Sequence, residues 1–163
     1  MLCVISLADG VVQVAGITTR SDELWMLQLG RNLIAEDGGA LASKRYLIVD
    51  RDTKYTQQFS KLLKDGETEV IQLPLFSPNL NAFAERFVRS IRAESLGKMI
   101  FVGQASLRRA IGEYMAHYHD ERNHQGLGNA LIRGKLSEGA NEAIVHRRQR
   151  LGGMLNYYHH AAE

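Results

Sequence analysis

YLIVDRDTKYTQQFSKLLKDGETEVIQL, residues 46–73, decides the fold class. Its first five residues, Tyr46 to Asp50, are a short apolar run that reads as a buried strand with an acid at its C-terminal end. Phe59 to Leu63 reads as a short helix closed by Asp65-Gly66, and Glu69 to Leu73 as a second strand. Working outward, MLCVISLA and VVQVAGITT are β-branched and apolar runs joined by Asp9-Gly10, a strong hairpin signal. Thr19 or Ser21 can cap a helix whose first turn carries Asp22 and Glu23, with Leu24, Leu27 and Leu33 as its apolar residues. Downstream, the loop LPLFSPN holds both prolines, Pro74 and Pro78. A long helix then runs from Leu80 to about Ser95, with Phe83, Phe87 and Ile91 on one side. Another runs from about Gln104 to His119 and buries Leu107, Ile111, Tyr114 and Met115. The basic run VHRRQR leads to LGGMLNYYHHAAE, a final hairpin or a terminal arm. The order ββαβαβαα is that of an α/β domain.

A chain of 163 residues, 45% of them hydrophobic, is expected to form one domain with a sizeable core. The single Cys3 can form no internal bridge and reads as a small buried hydrophobe, which suits a reducing, cytoplasmic setting. No apolar run reaches the ~20 residues of a membrane-spanning helix. The start MLCVISLADG lacks the basic flank of a signal peptide. Charge is divided along the chain: residues 1–85 hold 8 Lys+Arg against 11 Asp+Glu, and residues 86–163 hold 12 against 7. An acidic half followed by a basic half suits a protein that holds cations and then neutralises phosphates.

Two acids stand out by position. Asp50 ends a strand, where ligands of open α/β sheets gather, and Glu85 lies early on the helix that follows the proline loop. Carboxylate oxygens at two such places can hold divalent cations. Glu85, Arg89 and Arg92 recur at i, i+4 and i+7, so one stripe carries a carboxylate and two guanidinium groups. The bland reading of the same residues is a surface ion pair, worth ~0.3–0.5 kcal/mol, and a strand-end acid in a turn.

VDRDTKYT (49–56), LPLFSPNLNAFAERFVRSIRAE (73–94) and YMAHYHDERNHQGL (114–127), in that order, resemble the catalytic core of retroviral-type integrases and bacterial insertion-sequence DDE transposases. The resemblance implies an RNase H-like mixed sheet flanked by helices over residues 1–132, followed by a basic C-terminal extension, 133–163. It implies that Asp50 is the second acid of the triad, with Asp52 as runner-up, and that Glu85, in the segment Asn81 to Glu85, is the third. Their separation of 35 positions matches the family's spacing, and His117-Tyr118, Arg122, His124 and Gly126-Leu127 match a segment typical of the bacterial transposases. The implied chemistry is phosphodiester cleavage and strand transfer on DNA by two Mg²⁺ (or Mn²⁺) ions held by Asp50 and Glu85, with no organic cofactor and no covalent protein–DNA intermediate. Lys54, Arg89 and Arg92 would contact DNA, and the partner beyond DNA would be further copies of the chain assembled on it.

The sequence also departs from that family. MLCVISLA matches the family's second strand, so the first, central strand and its Asp are not found, nor is a preceding helix-turn-helix. Asp9 reads as a turn residue and not as a substitute. The expectation is therefore an N-terminally truncated core, with a non-catalytic remnant that binds DNA or an intact transposase as the alternative. A nuclease of the same fold outside mobile elements is a third reading, disfavoured by the 114–127 segment. His117, His119 and His124 are expected to face solvent at a helix end instead of binding zinc. Gly126-Leu127-Gly128 lacks the third glycine of a dinucleotide loop.

Overall fold

A computed structural model describes residues 1–75, 81–133 and 145–160, with only the backbone of His160. They fall into two compact units, one of Met1–Ile5 with Val12–Phe83 and the other of Ser6–Val11 with Ala84–Glu163. The beginning of the long helix at Leu80, and Pro78 before it, lie outside the described residues.

In the first unit β1 (Leu2–Ile5) and β2 (Val12–Gly16) pair antiparallel, as the hairpin expected about Asp9-Gly10 has them. The connection is longer than a two-residue turn, because Ser6 closes it by accepting from the Gly10 N–H at 2.9 Å and donating to Val11 O at 2.9 Å. Gly10 takes the left-handed φ of +73°, while the Asp9 carboxylate accepts from the Val11 N–H at 3.1 Å. Helix α1 (Glu23–Ile34) is capped by neither Thr19 nor Ser21. The Asp22 carboxylate accepts from the Trp25 N–H at 2.9 Å instead, which also sets a negative charge at the positive end of the helix. That register buries Met26, Leu29 and Leu33 and leaves Leu24 80% exposed, against the expectation for Leu24.

Strand β3 (Tyr46–Val49), helix α2 (Gln57–Asp65) and strand β4 (Glu69–Gln72) form the expected strand–helix–strand unit, with β3 and β4 parallel in the register Tyr46↔Glu69 to Val49↔Gln72. Thr56 caps α2 through its hydroxyl on the Phe59 N–H. At the other end Gly66 is required for close approach and not for backbone conformation: a Cβ there would lie 2.6 Å from Ile34 Cδ1, and the left-handed residue is Glu67. Fully buried Thr68 donates its hydroxyl to Lys44 O at 2.9 Å, and so starts β4 beside β3. The core of this unit is Met26, Leu29, Leu33, Leu41, Phe59 and Leu63, onto which Leu2, Val4, Leu47 and Val70 pack.

The strand at YLIVD is not buried on both sides as expected. Side chains alternate between the two faces of a strand, and only the face of Leu47 and Val49 meets the core, while Tyr46, Ile48 and Ile71 are exposed. Among the described residues the strands make three separate two-stranded sheets instead of one continuous sheet.

In the second unit α3 (Ala82–Glu94) and α4 (Gly103–Asp120) are followed by β5 (Val145–Arg150) and β6 (Leu155–His160). The tail is thus a hairpin, antiparallel with Arg147 opposite Tyr158. Phe87, Ile91, Ile111, Tyr114 and Leu155 are buried as a helical and strand pattern would have them, but Phe83 is 58% exposed.

Phe59→Ala is expected to cost about 3–5 kcal/mol in urea unfolding, since it empties the centre of the first unit's core, whereas Leu24→Ala should fall within about 0.5 kcal/mol of wild type.

Candidate functional site

Parallel pairing sets the C-terminal ends of β3 and β4 side by side. The Leu73 N–H donates to Val49 O at 2.9 Å, and the Arg51 guanidinium donates from Nε to Leu73 O at 2.9 Å. These two bonds tie the loop after β3 to the end of β4, and the first residue of that loop is Asp50. Its Oδ1 accepts from the Asp52 N–H at 3.2 Å, and its side chain is about half exposed. Asp52 is differently engaged: Oδ1 accepts from the Lys54 N–H at 3.1 Å and Oδ2 from the Lys54 ammonium at 2.6 Å. The hydrogen bonds from Lys54 hold the Asp52 carboxyl below its ordinary value. The same ammonium lies 4.0 Å from Asp50 and 4.7 Å above the Tyr55 ring, which in turn packs on Phe59. Burial, followed by the charges of Asp50 and Asp52, pushes the Tyr55 hydroxyl well above its ordinary value. Asp52, Lys54 and Tyr55 line a cavity of about 290 Å³ together with Cys3, Thr18 and Ser21. Asp50 therefore offers the freer carboxylate of the two candidates.

In the second unit Glu85, Arg89 and Arg92 occupy one exposed stripe of α3, opposite the stripe of Phe87 and Ile91. Among the described residues no ion pair joins Glu85 to Arg89, so the ordinary surface pair that their spacing allows is not formed.

What holds α3 by its buried side comes from the segment at 114–127. Phe87 meets Tyr118 edge-on at 5.2 Å between ring centroids and Tyr114 at 6.2 Å. One turn and more along the helix, Glu94 accepts from the Arg122 guanidinium at 2.8 Å and from the Tyr114 hydroxyl at 3.4 Å, and Arg122 also donates to the Tyr114 oxygen at 3.1 Å. Burial and then the Glu94 charge push the Tyr114 hydroxyl up. His124 closes the turn after α4, its Nε2 2.7 Å from Tyr118 O and its ring edge-on to Tyr118. Tyr118 and Arg122 thus act as packing for the helix that carries Glu85, and His124 backs Tyr118.

A second polar cluster was not legible in the sequence. The Glu121 side chain, about 1% exposed, accepts from Arg150 at 2.8–3.1 Å, from Arg148 at 3.4 Å and lies 3.2 Å from His117 Nδ1. Arg150 donates also to Glu113 at 3.0 Å. Burial raises the Glu121 carboxyl, but the hydrogen bonds from Arg150, His117 and Arg148 outweigh it, and the carboxyl titrates below its ordinary value. The i, i+4 spacing of His117 and Glu121 was a visible signal; the arginines, 27 and 29 positions away, were not. His117 and His119 are buried, contrary to the expectation of solvent-facing histidines, because the Glu121 cluster and the turn that follows cover the end of α4. Burial, and next the nearby Arg133 charge, lower the His119 pKa.

Carboxylate oxygens are the donors that Mg²⁺ and Mn²⁺ prefer, but among the described residues no group of three or more His, Cys, Asp or Glu is placed to hold a metal ion. The donors fit such an ion in kind and not in number.

The family model of the integrase core domain matches residues 73–131, just over a third of the chain. The matched stretch contains Glu85 and the whole 114–127 segment, and it supports an integrase-type core and a function of the DNA-integration or transposition type. No curated protein and no solved structure matches the chain. No helix among the described residues is long and apolar enough to cross a membrane.

Glu121→Gln is expected to destabilise the protein by about 3 kcal/mol at pH 7, since it leaves Arg150 without its buried partner. A carboxyl depressed in the folded state adds stability above its unfolded pKa that is lost as pH falls through the folded value. The gap between wild type and variant in urea unfolding should therefore narrow below about pH 4.5, the ordinary value of this carboxyl.

Proposed function

We propose that the chain is the catalytic core of a mobile-element transposase, which cleaves DNA phosphodiesters and joins 3′-hydroxyl ends to target DNA. The observation that carries this reading is the integrase core match over residues 73–131, which includes Glu85 on its helix. In the proposal Asp50 and Glu85 are two of the carboxylates of a divalent-metal site, and the remaining donors come from outside the described residues. Bound Mg²⁺ or Mn²⁺ supplies Lewis-acid stabilisation of the phosphoryl transfer. The chain's own part is oxygen-only ligation from a strand end that Arg51 ties down and from a helix that Tyr114, Tyr118 and Arg122 hold.

The exposed Arg89 and Arg92, in line with Glu85, are proposed to track the DNA backbone. Lys54, whose ammonium sits on Asp52, would contact a phosphate brought to Asp50. Assembly of several copies on DNA belongs to the same proposal, as does the RNase H-like arrangement.

The alternative is a non-catalytic relative that binds DNA or an intact transposase. It is favoured by the finding that no group of three or more His, Cys, Asp or Glu among the described residues is placed to hold a metal ion.

Nicking of supercoiled plasmid in Mg²⁺ or Mn²⁺ decides between them. Catalysis predicts nicking by the wild-type chain and its loss, by at least about 100-fold, in both Asp50→Asn and Glu85→Gln. A folded wild-type chain that binds DNA without nicking it establishes the alternative.

A further inference from the structure

The tail hairpin has two unlike faces. Arg148 and Arg150 on β5 point to α4, where Glu121 and Glu113 hold them at 2.8–3.4 Å. Alternation along the strands then turns Arg147 and Gln149 of β5, with Asn156 and Tyr158 of β6, to the opposite face. There the Arg147 guanidinium donates from Nε to Asn156 Oδ1 at 2.9 Å. With the Gln149 amide oriented to accept, its oxygen takes the same guanidinium at 2.6–3.1 Å. Tyr158, directly across from Arg147, is 62% exposed. The ion pairs of the inner face therefore fix the ribbon to α4 and leave Arg147, Gln149 and Tyr158 exposed in one row, with half-buried Asn156 beside them, its Nδ2 donating to Gly153 O at 2.9 Å.

We infer that this outer face of the β5–β6 ribbon is a second DNA contact, one that enters the major groove of duplex DNA. Three properties point to that occupant. The outer face carries the Arg147 guanidinium and no Asp or Glu, Arg148 and Arg150 being held by Glu121 and Glu113 on the other face, which complements a polyanion and no cationic partner. A two-stranded antiparallel ribbon is a shape that the major groove, about 12 Å wide, admits. Arg, Asn and Gln are the side chains that pair bidentately with base edges, Arg with guanine and the amides with adenine, and here they share one face. The inference deepens the DNA reading above and places a sequence-reading element outside the stretch that matches the integrase core, which ends at 131.

Fluorescence anisotropy of the full chain with a labelled 30-base-pair duplex, titrated with salt, tests it. Arg147→Ala should weaken duplex binding about tenfold and flatten the slope of log K against log salt by about 0.9, as the loss of one cationic contact does. Asn156→Ala should narrow the spread of affinities across duplexes of different sequence. Far-UV CD melting confirms that both variants fold, since Arg147 is exposed and Asn156 is half-buried with one amide bond to Gly153 O.

If the wild type binds duplex and Arg147→Glu binds it equally well, the ribbon is not a contact and the DNA reading stands without it. If the folded wild-type chain binds no duplex, both readings fall. Tighter binding of single-stranded DNA, RNA or a poly-glutamate peptide than of duplex overturns the groove assignment.

Discussion

The second unit depends on how α4 divides its last turns between two partners. Tyr114, Tyr118 and Arg122 recur at i, i+4 and i+8 and meet Phe87 and Glu94 of α3. Glu113, His117 and Glu121 recur with the same spacing, one position earlier; Glu113 and Glu121 meet Arg148 and Arg150 of the ribbon, and His117 lies against Glu121. A shift of one residue is about 100° around a helix, so the two rows face different neighbours without competing. The aromatic row is held largely by burial and ring contact, the other by charge. Each buried charge is paired, which is the condition for tolerating it away from water.

The first unit solves a different problem. A parallel pair of strands needs a crossover, and α2 supplies it in nine residues while covering one face with Phe59 and Leu63. Pairing in register brings both strand ends to one edge, and the Arg51 bond to Leu73 O holds the acid-bearing loop there. Within this unit α1 and α2 both pack with the face of Leu47 and Val70, and Tyr46, Ile48 and Ile71 are exposed.

Motif residues and structural residues are easily confused from sequence. The 114–127 segment lies within the stretch that matches the integrase core, yet its Tyr118, Arg122 and His124 hold one helix and close one turn. The acids have the opposite character: Asp50 and Glu85 are exposed, and Asp50 accepts from the Asp52 N–H.

Local chemistry was legible without coordinates. Apolar, β-branched runs about Asp9-Gly10 marked the hairpin, short apolar runs on either side of a helix marked the strand–helix–strand unit, and helical spacing marked Phe87, Ile91, Ile111 and Tyr114 as buried. Those signals act over a few residues, so one stretch of chain contains them whole. Which of Asp22, Thr19 and Ser21 caps α1 turned on one backbone geometry, and with it went the exposure of Leu24. The pairing of Glu121 with arginines 27 and 29 positions away, the burial of His117 and His119, and the two-faced ribbon at the tail belong to tertiary structure alone. A buried charge takes whichever opposite charge the fold delivers to it, and no spacing along the chain encodes which one that is.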